Sequence, residues 1–169
     1  EFDLTICQEI ALDHGVMSVL PLLASPPWPF KVIPINVNVL REPMPTPQRC
    51  WRIGQAVGRA IQSYDKDARV VVAATGGLSH QLHGPDFGFV NPEWDNRFLD
   101  LLVEQPEVLA RASHEDYMQR GGAEGVEMMM WLAMRGALST QARPLKPIQR
   151  FYWGPMLTGY GLLALQAQA

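Results

Sequence analysis

The chain has 169 residues, of which 47% are hydrophobic, and its 17 acidic and 14 basic side chains give a formal net charge of −3. This length fits one domain or part of a larger one. The basic residues form no long run, which argues against nucleic-acid binding. No apolar stretch approaches the roughly 20 residues that a membrane-spanning helix needs. Because Cys7 and Cys50 are too few for a disulfide scaffold, we expect a cytoplasmic protein with two buried thiols.

The first forty residues predict one helix and one strand. Met17, Leu20 and Leu23 recur at helical spacing and predict a short buried helix. The β-branched residues of segment 31–39 predict a strand.

The next segments predict a helix followed by a buried strand. Segment 47–64 carries its apolar residues on one face, with Thr46 as a plausible N-cap and Pro47 at the first helical position. The continuous apolar run 69–74 is typical of a buried, parallel strand. Strand, helix and strand in this order predict an α/β fold with a central, mostly parallel or mixed sheet flanked by helices.

The rest of the chain predicts a long functional loop and several helices. Residues 79–96 are irregular, and a loop of that length in a compact domain usually carries function. The apolar spacing further predicts helices over 95–104, 106–111, 114–119 and 122–138, and a strand over 161–165. No repeat divides the chain and no second domain is evident, so we expect a single domain over residues 1–169.

A glycine pair lies just after the apolar run 69–74 and is followed by His80. Ligands of open α/β sheets bind beyond the carboxyl ends of strands, and a Gly-Gly turn allows close approach of the backbone. His80 is therefore a candidate acid–base group, with a surface loop histidine as the alternative. The sequence excludes a serine-hydrolase elbow, because Gln81 stands where G-x-S-x-G requires its second glycine.

Four further residues are candidates for chemistry. Glu124 and Glu127 are three residues apart on a Met- and Trp-rich segment. A buried acid there must be paired or bound to a metal, whereas two solvated acids are the simpler interpretation. His80, His83 and Glu127 could form a metal site, although their spacing matches no established metal motif. His14 precedes a glycine and is, on its own, more simply a turn histidine.

Four stretches together resemble the class III extradiol ring-cleaving dioxygenases, of the type that acts on protocatechuate and gallate. The similar stretches are Asp13-His14-Gly15, Ala74 to Leu82 with Gly-Gly-Leu-Ser-His, Asn91-Pro92-Glu93-Trp94-Asp95, and Glu124 to Leu138 with Glu-x-x-Met-Trp. They occur in the order of that family and extend over nearly the whole chain.

The resemblance implies mononuclear Fe(II) held by two histidines and one glutamate, a triad that leaves positions for substrate and oxygen. It implies Glu127 as the carboxylate ligand, with Glu124 as the alternative. It implies His80 as the acid–base residue and His14 as a histidine that hydrogen-bonds the substrate hydroxyl or oxygen. It implies Thr158 in the turn that recognises the substrate carboxylate.

The same resemblance implies that both histidine ligands lie upstream of the Asp-His-Gly motif, which here begins at position 13. We therefore expect the chain to be the C-terminal portion of a longer domain and to bind Fe(II) poorly by itself. Tight one-to-one iron binding would contradict this expectation.

The reaction that the resemblance implies is insertion of O₂ into the ring of a catechol-type acid such as protocatechuate, gallate or methylgallate. The implied partners are a small helical α subunit, or a fused equivalent, and further copies in an oligomer. The alternative is a non-catalytic relative that keeps the fold for binding or assembly. A hydrolase using His80 with Glu127 is a third interpretation, disfavoured by the failed elbow.

Overall fold

A computed structural model describes residue 2 and residues 4–168, and the chain divides into two compact units, residues 1–36 and 37–169. The first unit contains two single-turn helices, α1 (His14–Met17) and α2 (Leu20–Leu23). The expected short buried helix over 17–23 is wrong: it is interrupted, and only Leu20 of α2 is buried. Pro21 lacks the amide hydrogen that a continuous helix would need at that position.

Neither predicted strand of the first half is formed. Residues 31–39 and 69–74 adopt no regular secondary structure, and Val71 is 78% exposed. A strand requires a hydrogen-bonded neighbour, and no part of the chain that the structure describes pairs with either segment. Apolar, β-branched composition favours a strand but could not supply that neighbour.

Helix α3 (Pro47–Gln62) confirms the amphipathic helix predicted for this segment. Thr46 caps it, since its hydroxyl oxygen accepts a hydrogen bond from the Arg49 amide at 3.2 Å, and Pro47 lies in the first turn. Cys50 on this helix is buried as expected, whereas Cys7 is exposed, which corrects the expectation that both thiols are buried.

Three short helices follow the irregular segment: α4 (Pro92–Glu104), α5 (Pro106–Arg111) and α6 (His114–Gly121). Helix α4 begins three residues earlier than predicted because Asn91 caps it, accepting a hydrogen bond from the Trp94 amide at 3.1 Å. The predicted helix over 122–138 is two elements, a 3-10 helix (Glu124–Met130) and α7 (Trp131–Leu138). A 3-10 helix places side chains three residues apart on one edge.

The only strands among residues 2 and 4–168 are β1 (Leu145–Trp153) and β2 (Tyr160–Ala167), which form a two-stranded antiparallel sheet. β2 contains the predicted strand over 161–165, whereas β1 was not predicted. The architecture is therefore helices with a small antiparallel sheet, and the described residues contain no central parallel or mixed sheet.

Aromatic rings fill the core of the second unit between α4, α6 and α7. Their ring centroids are 6.1 to 6.3 Å apart, mostly in edge-to-face arrangements. The rings are those of Trp94, Phe98, Tyr117 and Trp131. This packing fixes α4 and α7 beside the Gly-Gly-Leu-Ser-His turn. No helix of the described residues is both long and apolar enough to cross a bilayer.

Candidate active site

The turn that carries His80 is held by backbone hydrogen bonds to two distant segments. Leu78 donates its amide to the Gly159 carbonyl at 3.0 Å, and Gly159 donates to the Ser79 carbonyl at 2.9 Å. His80 donates its amide to the carbonyl of Gly121, the last residue of α6, at 2.7 Å. The turn is therefore held by hydrogen bonds from both sides and is not a loose loop.

Two glycines allow this segment to approach its neighbours. Gly76 has a φ of +132°, a region that side chains disfavour. A Cβ on Gly77 would lie 2.7 Å from Cε1 of His80 and 3.0 Å from the Thr158 methyl. Both positions therefore require glycine, while the approach of this backbone to a ligand stays a prediction.

His80 is 5% exposed, and its two ring nitrogens have different surroundings. Nδ1 lies 2.8 Å from the Leu78 carbonyl oxygen. Because a carbonyl can only accept, Nδ1 carries the proton of the neutral ring and Nε2 carries the lone pair. Nε2 lies 4.0 Å from Oε2 of Glu127. His80 is thus arranged to accept a proton at Nε2.

The 3-10 helix presents Glu124 and Glu127 to the same segment. Oε2 of Glu127 accepts a hydrogen bond from the Gly77 amide at 3.0 Å. Both oxygens of Glu124 are bonded elsewhere, to the Leu82 amide at 2.9 Å and to Nδ1 of His83 at 2.8 Å. Burial raises the pKa of Glu124, but these bonds outweigh it and lower that pKa overall.

Thr158 lies next to His80, since the two residues form an isolated antiparallel bridge. The structure thus brings together three of the four residues that the sequence singled out: His80, Glu127 and Thr158. His14 belongs to the first compact unit, where it starts α1 and its side chain is exposed.

A metal triad is not complete within residues 2 and 4–168, where no group of three His, Cys, Asp or Glu side chains is placed to hold an ion. Glu127 offers a carboxylate beside His80, but the third candidate of the in-chain site, His83, is paired with Glu124 and exposed. The described residues therefore fit one ligand of a metal and not a set of three.

Sequence reasoning assigned no role to Asp95, which is fully buried beneath the His80 turn. Its two oxygens accept hydrogen bonds from the Ser79 amide at 2.8 Å and the Ser79 hydroxyl at 2.7 Å. Burial raises the pKa of Asp95, while the bonds from Ser79 oppose that rise. A signal existed, because Asp95 is spaced with Phe98 and Leu99 on the apolar face of α4.

Comparison with known proteins identifies the family of the chain. A family model described as the catalytic LigB subunit of aromatic ring-opening dioxygenase matches residues 1–161. The chain is 44% identical over 168 residues to a gallate dioxygenase of Pseudomonas putida KT2440, covering 98% of this chain and 48% of the relative.

More distant relatives are named 2,3-dihydroxyphenylpropionate/2,3-dihydroxicinnamic acid 1,2-dioxygenases. The chain is 25% identical over 213 residues to that of Xanthobacter autotrophicus, covering 98% of this chain and 67% of the relative. It is 26% identical over 210 residues to one from Dechloromonas aromatica, covering 97% and 66%. The chain thus spans about half of the gallate dioxygenase and about two thirds of the others. It belongs to the family of catalytic LigB subunits of aromatic ring-opening dioxygenases.

Proposed function

We propose that this chain supplies the acid–base residue and one metal ligand of the active site of an extradiol dioxygenase. The enzyme would insert both atoms of O₂ into the ring of a catechol-type acid. The observation that carries the proposal is the pairing of His80 with Glu127, 4.0 Å apart, in a chain of the ring-opening family. The relatives named for gallate and for dihydroxyphenylpropionate support a catechol-type substrate.

His80 is the proton carrier in this proposal. With Nδ1–H donated to the Leu78 carbonyl, Nε2 can take the proton of a phenolic hydroxyl and return it when the ring opens. The burial of the ring supports this role, because water is kept from the nitrogen that faces the substrate. Thr158, beside His80, is proposed to hydrogen-bond the substrate carboxylate, and His14 to hydrogen-bond its hydroxyl or the oxygen.

Fe(II) is the proposed cofactor, and it would supply activation of O₂ and chelation of the two phenolic oxygens. Glu127 is proposed as one ligand, since its other oxygen, Oε1, is not used by the Gly77 amide. Glu124 is the weaker candidate because both of its oxygens are already bonded. The remaining two ligands are proposed to be histidines that lie outside these 169 residues, so the 169 residues alone are expected to bind Fe(II) weakly.

We also propose a domain and partners for this chain. Residues 1–169 would form the C-terminal portion of one cytoplasmic catalytic domain. Other parts of the polypeptide would complete the central sheet of that domain. A small helical α subunit, or its fused equivalent, and an oligomer are the proposed partners. An exposed apolar face of the β1–β2 sheet supports an interface there, because Phe151 pairs with Leu162 and Trp153 with Tyr160.

The test measures oxygen uptake by the intact protein, loaded anaerobically with Fe(II) and then given O₂ with gallate or protocatechuate. His80→Ala is expected to lower turnover about 100-fold or more with little change in KM, since acid–base catalysis contributes about that much. Glu127→Gln is expected to abolish iron-dependent uptake. His83→Ala, which removes a histidine three residues further along the same segment, is the matched control and should retain turnover.

An unchanged turnover in His80→Ala would remove the acid–base role. Absence of oxygen uptake with every catechol acid, in protein shown to hold Fe(II), would overturn the enzyme proposal. The second candidate is a non-catalytic binding or assembly subunit, in which the whole polypeptide would lack the two histidine ligands. That candidate predicts substrate binding without ring opening.

A further inference from the structure

One peptide group joins the buried Asp95 to His80. The amide of Ser79 and the carbonyl of Leu78 belong to the same peptide unit. That amide donates to Oδ1 of Asp95 at 2.8 Å, and that carbonyl accepts from Nδ1 of His80 at 2.8 Å. Because a trans peptide is planar, with its N–H and C=O pointing in opposite directions, a bond that orients the amide also orients the carbonyl.

From this geometry we infer that Asp95 is a positioning residue for the proposed reaction: it acts on His80 through the Leu78–Ser79 peptide and fixes the ring with Nδ1 protonated and Nε2 free. The effect of Asp95 on turnover rests on the proposed function. The effect of Asp95 on the orientation and tautomer of the His80 ring rests on the structure alone. It resembles an Asp–His pair in which a peptide group stands between the two side chains.

Asp95 accepts a hydrogen bond at each of its oxygens. The Ser79 hydroxyl donates to Oδ2 at 2.7 Å and itself accepts from the Asn91 amide at 2.7 Å. The Ser79 amide takes Oδ1. An ionised carboxylate offers acceptors at both oxygens, and its charge strengthens both bonds and polarises the peptide toward His80.

The surroundings of Asp95 explain why the carboxylate can orient this peptide without moving itself. Asp95 is completely buried at the start of α4, between the capping residue Asn91 and the aromatic core. Gly159 packs directly on the carboxylate, where a Cβ would overlap Oδ2. Gly159 also forms backbone hydrogen bonds with Leu78 and Ser79. One residue therefore contacts both the Asp95 carboxylate and the two residues whose peptide group that carboxylate orients.

The first test measures the tautomer of the His80 ring and does not depend on enzymatic activity. In metal-free intact protein labelled with ¹⁵N-histidine, the His80 ring is identified with the His80→Ala variant. Native protein is expected to show a single Nδ1–H tautomer. Asp95→Ala is expected to show a mixture of tautomers, because the Leu78 carbonyl is no longer held toward Nδ1.

Ser79→Ala is the matched control, since it removes the hydroxyl but keeps the amide bond to Asp95. It is expected to keep the Nδ1–H tautomer. Leu102→Ala, another buried residue of α4, controls for loss of stability. If Asp95→Ala does not fold, the tautomer is measured in Asp95→Asn. A smaller shift toward the mixture of tautomers is expected there, because the neutral side chain of asparagine accepts the hydrogen bond from the Ser79 backbone amide more weakly than a carboxylate does. An unchanged tautomer in a folded Asp95 variant would overturn the inference.

The second test uses the iron-loaded protein and a catechol acid. Folded Asp95→Ala is expected to lose about 10- to 100-fold in kcat with little change in KM, as for a misplaced catalytic group. Leu102→Ala should keep its kcat at temperatures where it is folded. A changed tautomer with unchanged kcat would overturn the role in the reaction. If native protein itself has no turnover, the proposed function fails, while the tautomer measurement still decides whether Asp95 holds the ring.

Discussion

The amide of Gly77 and the carboxylate of Glu127 are separated by 50 residues in sequence and joined by a hydrogen bond of 3.0 Å. This bond connects the Gly-Gly turn to the 3-10 helix. It also brings the Glu127 carboxylate close to His80, because the His80 ring lies so near Gly77 that a Cβ there would be 2.7 Å from Cε1. Glu124 and Glu127 are three residues apart, so the 3-10 helix places them on the same edge. Both can therefore accept hydrogen bonds from the segment that faces this edge, Glu127 from Gly77 and Glu124 from Leu82.

Gly77→Ala is expected to lower dioxygenase turnover and to destabilise the fold by about 1–3 kcal/mol, the usual cost of overpacking. The added methyl would meet Cε1 of His80 at 2.7 Å and must displace the ring. Oxygen uptake and thermal unfolding measure the two effects. Gly125→Ala is the control. Gly125 lies beside the same turn, but a Cβ added there would be 3.6 Å from its nearest neighbouring atom. Equal effects of the two substitutions would contradict this account.

Acidification is expected to release the 81–88 segment from the 3-10 helix. The pKa of Glu124 is lower in the folded protein than its usual value, because bonds from His83 and the Leu82 amide outweigh burial. The folded state therefore favours the carboxylate, and its stabilisation is present above the unfolded pKa and is lost as pH falls through the folded pKa. Hydrogen exchange at the Leu82 amide, expressed as a protection factor, measures the release.

In Glu124→Gln the acid-dependent part of that protection should disappear. Glu104→Gln removes an exposed glutamate and should leave the pH dependence unchanged. If the Glu124→Gln variant lost Leu82 protection at the same pH as the native protein, another group would be responsible.

The two thiols are expected to react very differently. Cys50 is 1% exposed, and burial raises its pKa to about 11, so about one molecule in a thousand is thiolate at pH ~8. Cys7 is exposed. Alkylation of the native protein should therefore modify one equivalent quickly and the second only after unfolding. Cys7→Ser should lose the fast phase. Rapid modification of two equivalents in native protein would contradict the burial of Cys50.

Local sequence signals predicted helices α3 to α6 well. Thr46 and Pro47 determine the start of α3, and the capping by Asn91 acts within one turn of α4. The Gly-Gly pair predicted a sharp turn from residue type alone, because glycine adopts backbone conformations that other residues disfavour. These features depend on a few adjacent residues, so a single sequence contains them.

Pairing between distant segments could not be predicted in the same way. The run 69–74 has a strand's composition but no neighbour among the described residues, and β1 was missed because Pro147 interrupts an otherwise mixed segment. The role of Asp95 was missed for a related reason. Its partner Ser79 is 16 residues away, and nothing local shows that the two meet.

The crossing of α3 and α7 gives the sharpest separation of local and tertiary effects. Alanine is favoured over glycine by about 1 kcal/mol in a helix, so propensity alone predicts that Gly54→Ala stabilises the protein. In the structure a Cβ on Gly54 would overlap the carbonyl of Ala133 on α7. The helices would have to separate, and the overpacking cost of about 1–3 kcal/mol exceeds the propensity gain.

We therefore expect Gly54→Ala to lower the urea midpoint of the intact protein. Ala60→Gly, at an exposed position of the same helix, measures the propensity term by itself and should cost about 1 kcal/mol. The fall caused by Gly54→Ala must then come from packing, since its propensity term has the opposite sign. A rise in the midpoint for Gly54→Ala would show that α3 and α7 do not cross as closely as the structure places them.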